Sequence, residues 1–385
     1  MGIQKASSGK RLFYIDNIRW VMIVLVVLMH LKVTYSNMGM WYYNEAVTLD
    51  AFSYVIFGMY GSFVQAFFMG LLFFVAGYFV PASLDRKGNG KFVSDRFVRL
   101  GIPTLVFMLL LNPLTFLMTP ASTQISASIM SEYAGYITSL SFLGGSGPMW
   151  FALALLIFSV AYVAVRQFTS RNKTAVKAKD SFLVSNKNIV ILIALISLFT
   201  FLSRLFYPSG TAVLNMQLGN FSQYIILFIA GILAYRYDLL SKISYNFGML
   251  WLKLALFIGI PTWFLLMILG GALTGSTAFN GGLYWQAAAY SVWESFFCVG
   301  ISLGLLVLFR RKYDVQGKIS AFLSKNAFGV YVFHAPILVA ITLMFQGVVM
   351  YPLLKMILMA FIVIPVCFGF VYLLRKIPLM ERLFS

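Results

Sequence analysis

Charge is scarce in this chain: 10% of its 385 residues are charged, 11 are acidic, and it has two histidines and two cysteines. A soluble domain carries about 25% charged residues, so this shortage excludes a soluble enzyme and a disordered chain. Cys298 and Cys367 both lie inside apolar runs, which excludes a disulfide-built scaffold. No polar domain is present to carry nucleic-acid binding. What the chain has instead is 61% hydrophobic residues, a mean hydropathy of +0.88 and a net charge of +18. These describe an all-α, polytopic transmembrane helix bundle, read as one integral membrane domain over residues 1–385.

A helix crosses about 30 Å of hydrocarbon with roughly 20 apolar residues. The apolar runs predict ten spans, at about 15–35, 54–80, 98–118, 148–166, 188–206, 219–236, 249–271, 283–309, 327–347 and 351–374. The first follows a basic segment, is too long for a signal-peptide core and has no small-residue cleavage site, so it reads as uncleaved. Ser7, one place beyond the myristoylation position, gives Gly2 no support as an acylation site.

Of the 29 Lys and Arg residues, 26 fall in every second connection or in the two tails. The intervening connections carry Glu45, Asp50 and Glu132. Basic residues mark the cytoplasmic side, so both termini are expected in the cytoplasm and the host is expected to be the cell's inner membrane. Asn44, Glu45 and Asp50, together with the connection Thr119–Gly147, are expected to line an extracytoplasmic vestibule. The polar loop between spans four and five (RNKTAVKAKDSFLVSNKN) is expected in the cytoplasm.

Ionisable residues at membrane depth are costly and mark function by default. Lys32, Arg204, Lys253 and Lys355 lie near predicted span ends and read as snorkelling side chains. His30, Glu294 and His334 do not. At 1.5 Å per residue His30 lies about 18 Å above Ile18, and Glu294 about 16 Å below Leu283, so both reach mid-depth. An acid and an imidazole at one depth suit a tuned general base, or a hydrogen-bonded tie between helices. His334, about 9 Å above Phe328, falls in the cytoplasmic half.

Arg19 and His30 are eleven residues apart, almost three helical turns, and share one face about 16 Å apart along the axis. Asp16 falls on nearly the same stripe. An anion-binding group at the inner surface and a titratable imidazole at mid-depth fit a long ligand with an acidic head, such as an acyl-CoA. The expectation is one continuous docking track between them.

These residues resemble the acyltransferase-3 family of integral membrane acyltransferases, in its glucan-modifying (glucans biosynthesis protein C-like) branch. Arg19 and His30 in IDNIRWVMIVLVVLMH match its Arg, ten residues, His signature. FFVAGYF (Phe73–Phe79) is similar to its second-span pattern, with Ala76 in place of Ser. FVSDRFVRLGIP supplies Arg96, Arg99 and Pro103, and GPMWF (Gly147–Phe151) resembles its span-four motif. WESFFCVG around Glu294 and FGVYVFHAPI around His334 resemble its late spans. Trp20 departs from the Gly that commonly follows the Arg. The fused esterase-like domain of some members is not expected here, nor is one-chain delivery to a cell-wall polymer.

The resemblance implies an acyl-CoA donor bound from the cytoplasm and transfer to a hydroxyl, often of a glycan outside. It also implies a mechanistic role for His30 and donor contacts from Arg19. The expectation is therefore an O-acyltransferase using acetyl-CoA or succinyl-CoA. Arg19, Arg96 and Arg99, with Asp16 beside them, would hold the donor. His30 would be the general base, with Glu294 orienting it. His334, Trp150 and Tyr331 would contact substrate. No permanent cofactor and no metal are expected, and a homo-oligomer is left open. A proton-coupled secondary transporter of a sugar or other solute uses similar parts, although no inverted repeat or paired broken helices accompany them. A lipid-binding scaffold would tolerate changes at His30 and Glu294.

Overall fold

In hydrocarbon each backbone amide must find its partner within its own segment or a closed barrel, and this chain meets that demand with helices. The computed structural model describes residues 11–119, 129–169 and 184–384. Lys5, Lys10, Arg171, Lys173, Lys177 and Lys179, most of the loop between spans four and five, and residues 1–10 and 120–128 lie outside the described residues. Ten helices are long and apolar enough to cross a membrane. They are α1 (Phe13–Ser36), α2 (Ala51–Lys87), α3 (Asn89–Leu117), α4 (Gly147–Thr169), α5 (Asn186–Phe206), α6 (Leu218–Arg236), α7 (Tyr245–Leu269), α8 (Trp285–Lys312), α9 (Lys318–Met344) and α10 (Pro352–Leu374).

The helices run past the apolar windows at their basic ends. Helix α9 begins at Lys318 and α3 at Asn89, each nine residues before the apolar run that announced it. Backbone hydrogen bonding continues into the polar zone, where apolar character gives no signal. As a result the basic connection after α2 is one residue long. Gly88 (φ 74°) turns the chain, and Lys91, Arg96 and Arg99 lie on a helix rather than in a loop.

Helix α1 packs against α2, α8, α9 and α10, and α8 also against α5 and α7. The most apolar window of α8 is 72% buried and that of α7 22%, which places α8 inside the bundle and α7 at its lipid-facing rim. Helices α2 and α6 cross at paired glycines. A Cβ on Gly77 would overlap the Phe228 carbonyl, and one on Gly231 the Phe74 carbonyl. Small residues that let backbones touch are a standard device for helix association in lipid.

Three π-helical turns, Phe97–Gly101, Phe107–Leu111 and Ala255–Gly259, each end two residues before a proline: Pro103, Pro113 and Pro261. Proline lacks an N–H and its ring collides with the carbonyl four residues back. A turn widened by one residue removes the collision and keeps the helix continuous.

Polar contacts identify two ends. At one, Asp85 accepts from Arg166 (3.4 Å) and Arg236 (2.8 Å), joining the last turns of α2, α4 and α6. Asn17 Nδ2 donates to the Tyr313 carbonyl (2.7 Å) and Arg375 to the Lys325 carbonyl (2.6 Å), bringing α1, α8, α9 and α10 to the same end. The described start and finish of the chain therefore share this basic end. At the other end Lys355 binds Glu45 at 2.6 Å, and the Ser53 hydroxyl meets Tyr351 at 2.8 Å. Cys298 and Cys367 are buried and free.

Candidate active site: two cavities along one helix face

Helix α1 presents Arg19 and His30 to two cavities. At the basic end, a cavity of about 320 Å³ is lined by Arg19, Arg86, Lys87, Arg96 and Arg99, with Asp95 as its one carboxylate. The one-residue turn at Gly88 folds the end of α2 against the start of α3 and brings these cations together. Lys87 is tied to Asp95 at 2.5 Å, and the Arg19 guanidinium lies 4.8 Å over the Phe79 ring. Asp16 does not line this cavity. It holds Arg11 at 2.7 Å and Arg19 at 3.6 Å, and so steers the Arg19 head. In the sequence Arg86 and Lys87 are two more of the basic residues that mark one side of the membrane. Their nearness to Arg96 and Arg99 depends on how short the turn is.

The second cavity, about 650 Å³, lies toward the opposite end and is lined by His30, Trp150 and Tyr331 together with Gln65, Asn112 and Tyr224. His30 touches two rings: its centroid is 3.9 Å from Trp41, stacked at 21°, and 5.1 Å from His334. His30 Nδ1 is 3.1 Å from His334 Nε2, and His334 Nδ1 is 2.8 Å from the Tyr331 carbonyl. A carbonyl only accepts, so His334 Nδ1 carries its hydrogen and, with both rings neutral, Nε2 is bare. His30 Nδ1 must then be the donor to His334, which leaves the lone pair of His30 on Nε2.

Sequence reckoning placed His334 in the cytoplasmic half, and the structure corrects this. His334 Nε2 meets His30 Nδ1 at 3.1 Å, so the two histidines share one level, and α9 starts at Lys318, before the apolar run from which the depth is counted. Glu294 is also corrected. Its depth suited His30, but α8 turns it toward α5 and α6, where its carboxylate is 2.7 Å from Arg204. Arg204 also donates to Asn220 Oδ1 at 2.6 Å, and Asn220 lines the large cavity. Arg204 therefore does not snorkel; it is 2% exposed in a buried ion pair. Lys355, also 3% exposed, is paired with Glu45, and Lys32 is buried, whereas Lys253 is exposed.

The expected vestibule residues are corrected as well. Asn44 bonds Asn37, Glu45 bonds Lys355 and Asp50 caps α2 through Ser53, and none of the three lines the cavity. Its rim comes from residues 38–42 and from Gly144, Gly147 and Pro148. Gly147 has φ +46°, and a Cβ there would lie 2.6 Å from both the Phe107 ring and the Tyr42 hydroxyl. Its carbonyl accepts from Asn215 (2.6 Å), and the Tyr331 hydroxyl donates to the Pro148 carbonyl. The GPMW motif is thus the hinge between rim and α4. Burial, together with nearby Tyr136, pushes the Tyr42 hydroxyl up, so it stays protonated and donates to Asn112 at 2.5 Å.

Among the described residues the expected continuous track is divided into two separate cavities. The two cavities share no lining residue. Between Arg19 and His30 the same face of α1 carries Met22 and Ile23, both buried and in neither cavity wall, and then Val26, which lines the large cavity. Apolar residues on that stripe fit a channel lining or a plug equally well by sequence, and here they pack.

Residues 12–375 match the acyltransferase-3 family, described as an acyltransferase domain. The glucans biosynthesis protein C of Salmonella heidelberg (strain SL476) and that of Salmonella paratyphi A (strain ATCC 9150 / SARB42) are each 23% identical over 232 residues. That alignment covers 58% of this chain and 58% of each relative, less than two thirds of their length. No solved structure matches the chain.

Proposed function

The chain belongs to the acyltransferase-3 family, and on that premise we propose that it moves an acyl group from a cytoplasmic acyl-CoA to a hydroxyl of a glycan or similar acceptor, with His30 as general base. Family membership favours this over the proton-coupled transporter. The observation that carries the reading is the Tyr331–His334–His30 chain, which leaves one imidazole nitrogen of the cavity wall unprotonated.

In this reading the basic end faces the cytoplasm of an inner membrane, as positive residues favour. Arg19, Arg86, Lys87, Arg96 and Arg99 receive the diphosphate and 3′-phosphate of CoA; guanidinium forks suit phosphate oxygens. The pantetheine arm passes along α1 toward the large cavity, which requires Met22 and Ile23 to separate from their neighbours. His30 Nε2 takes the proton of the acceptor hydroxyl as its oxygen attacks the thioester carbonyl. The C–S bond breaks, and the proton on His30 passes to the departing CoA thiolate. His334 positions His30 and stabilises its charged form. Glu294 acts one layer out by holding Arg204 and Asn220 at the cavity edge.

The test is reconstitution in liposomes with acetyl-CoA or succinyl-CoA and a glucan acceptor, reading free thiol and acceptor mass together. Acceptor-dependent thiol release with a matching mass gain, lost in His30→Ala, is expected. Movement of unmodified acceptor across the bilayer with no thiol released would replace this reading with the transporter.

A further inference from the structure

Four cations are buried among the described residues: Lys32, Arg204, Lys355 and Arg375. Arg204 has Glu294 at 2.7 Å, Lys355 has Glu45 at 2.6 Å, and Arg375 has Glu381 at 3.8 Å. Lys32 has no carboxylate within ion-pair distance among the described residues. It lies two residues beyond His30 on α1, is 5% exposed, and lines the same large cavity. Of its three N–H donors, one is given to the Met38 carbonyl at 2.9 Å. Gly61 on α2 leaves it room: a Cβ there would sit 3.2 Å from both Lys32 Nζ and Cε.

The rest of that cavity wall is electrically one-sided. None of its lining residues is Asp or Glu, and Lys32 is the single Lys or Arg. Beside His30 and the tyrosines, the wall carries the neutral amides Gln65, Asn112, Asn215 and Asn220, which suit hydroxyls. Taking an ammonium out of water is costly unless an opposite charge arrives. At membrane depth such a residue marks the path of a charged ligand. Lysine is a point charge on a flexible stem, able to meet an incoming anion without a fixed fork geometry.

We propose that Lys32 receives an anionic group, a carboxylate or a phosphate, carried into the His30 cavity by the transferred acyl chain or by the acceptor. This names the substrate class of the site proposed above and rests on that reading for its chemistry, though not for its binding test.

The experiment uses the full chain in nanodiscs of zwitterionic lipid. Its binding arm measures thermal stabilisation by succinate and by glycerol 3-phosphate against dimethyl succinate and glycerol. With Arg96→Ala/Arg99→Ala present throughout, so that the basic cavity does not answer for the anions, they should stabilise the chain with Lys32 or with Lys32→Arg but not with Lys32→Met. No anion-specific stabilisation of the chain with Lys32 overturns the proposal, whatever the Lys32 variants do. The same stabilisation in Lys32→Met overturns it too. Stabilisation that needs Lys32, with no acyl transfer under any condition, keeps the anion site and removes the acyltransferase reading.

Its turnover arm crosses acetyl-CoA and succinyl-CoA with a neutral oligoglucoside and one bearing a uronic acid. The wild type should prefer an acid-bearing partner, and Lys32→Met should cut that preference by about tenfold or more. A preference tied to the donor identifies the acyl chain as the source, and one tied to the acceptor identifies the acceptor. Equal loss on all four combinations makes Lys32 a packing residue and overturns the proposal.

Discussion

Replacing His334 with phenylalanine keeps a ring of similar size in a site with no solvent exposure and removes one acceptor. In the wild type, His30 Nδ1 donates across 3.1 Å to His334 Nε2, and that bond favours the tautomer of His30 whose Nε2 is bare. Without it that part-buried donor loses its imidazole acceptor, at a cost of about 1–3 kcal/mol. The hydrogen of His30 then gains by moving to Nε2, the wrong nitrogen for the acceptor proton. Each 1.36 kcal/mol is tenfold in rate, so kcat should fall roughly 5- to 150-fold. The donor KM should change little, because the phosphate cations lie in the other cavity. His334→Gln, whose amide oxygen restores an acceptor, should recover part of the loss. The assay is acceptor-dependent thiol release, with kcat and KM taken across pH. A His334→Phe enzyme with kcat within about twofold of wild type and an unchanged pH profile would refute the positioning role.

Glu294→Gln should lower thermal stability without moving the pH profile of turnover, because its carboxylate serves Arg204 and not His30; a shifted profile would return Glu294 to the imidazole. Arg204→Met leaves that carboxylate buried and unpaired, at about 3–5 kcal/mol, and adding Glu294→Leu should recover much of the lost melting temperature. Gly231→Ala forces a methyl into the Phe74 carbonyl and should cost about 1–3 kcal/mol by overpacking, read as a lower melting temperature in detergent. The Asp50 carboxylate is held below its ordinary range by hydrogen bonds from Ser53. Its contribution to the α2 cap is therefore full at neutral pH and is lost as pH falls through that lowered value. Asp50→Asn should flatten the acid limb of a melting-temperature curve, and an identical limb would place acid sensitivity elsewhere.

Helix existence was legible because apolar run length reports hydrocarbon thickness, and all ten spans reappear as helices. The Arg19–His30 stripe was legible because both residues lie on one helix, where spacing fixes the face. Relations between helices were not. Glu294 and His30 matched in depth, but depth says nothing about which neighbour a helix turns a residue toward. The reckoning for His334 failed for another reason: its helix starts among polar residues that an apolar window does not see. Lys355 and Arg204 read as snorkelling because their partners, Glu45 and Glu294, are 310 and 90 positions away. The plug of Met22 and Ile23 had no signal, since hydropathy does not distinguish a closed path from an open one. Trp41, stacked on His30, lies in a connection that offered no periodicity to read.

The division of labour between the two cavities is tested most directly in one preparation, by titrating acyl-CoA binding and measuring turnover in His30→Gln and in the double variant Arg96→Ala/Arg99→Ala. His30→Gln should bind acyl-CoA as the wild type does while turnover falls by about 10²- to 10⁴-fold, the usual worth of a general base. The double arginine variant should lose donor affinity and recover rate at saturating donor. Turnover by His30→Gln at the wild-type rate would contradict the account at its centre.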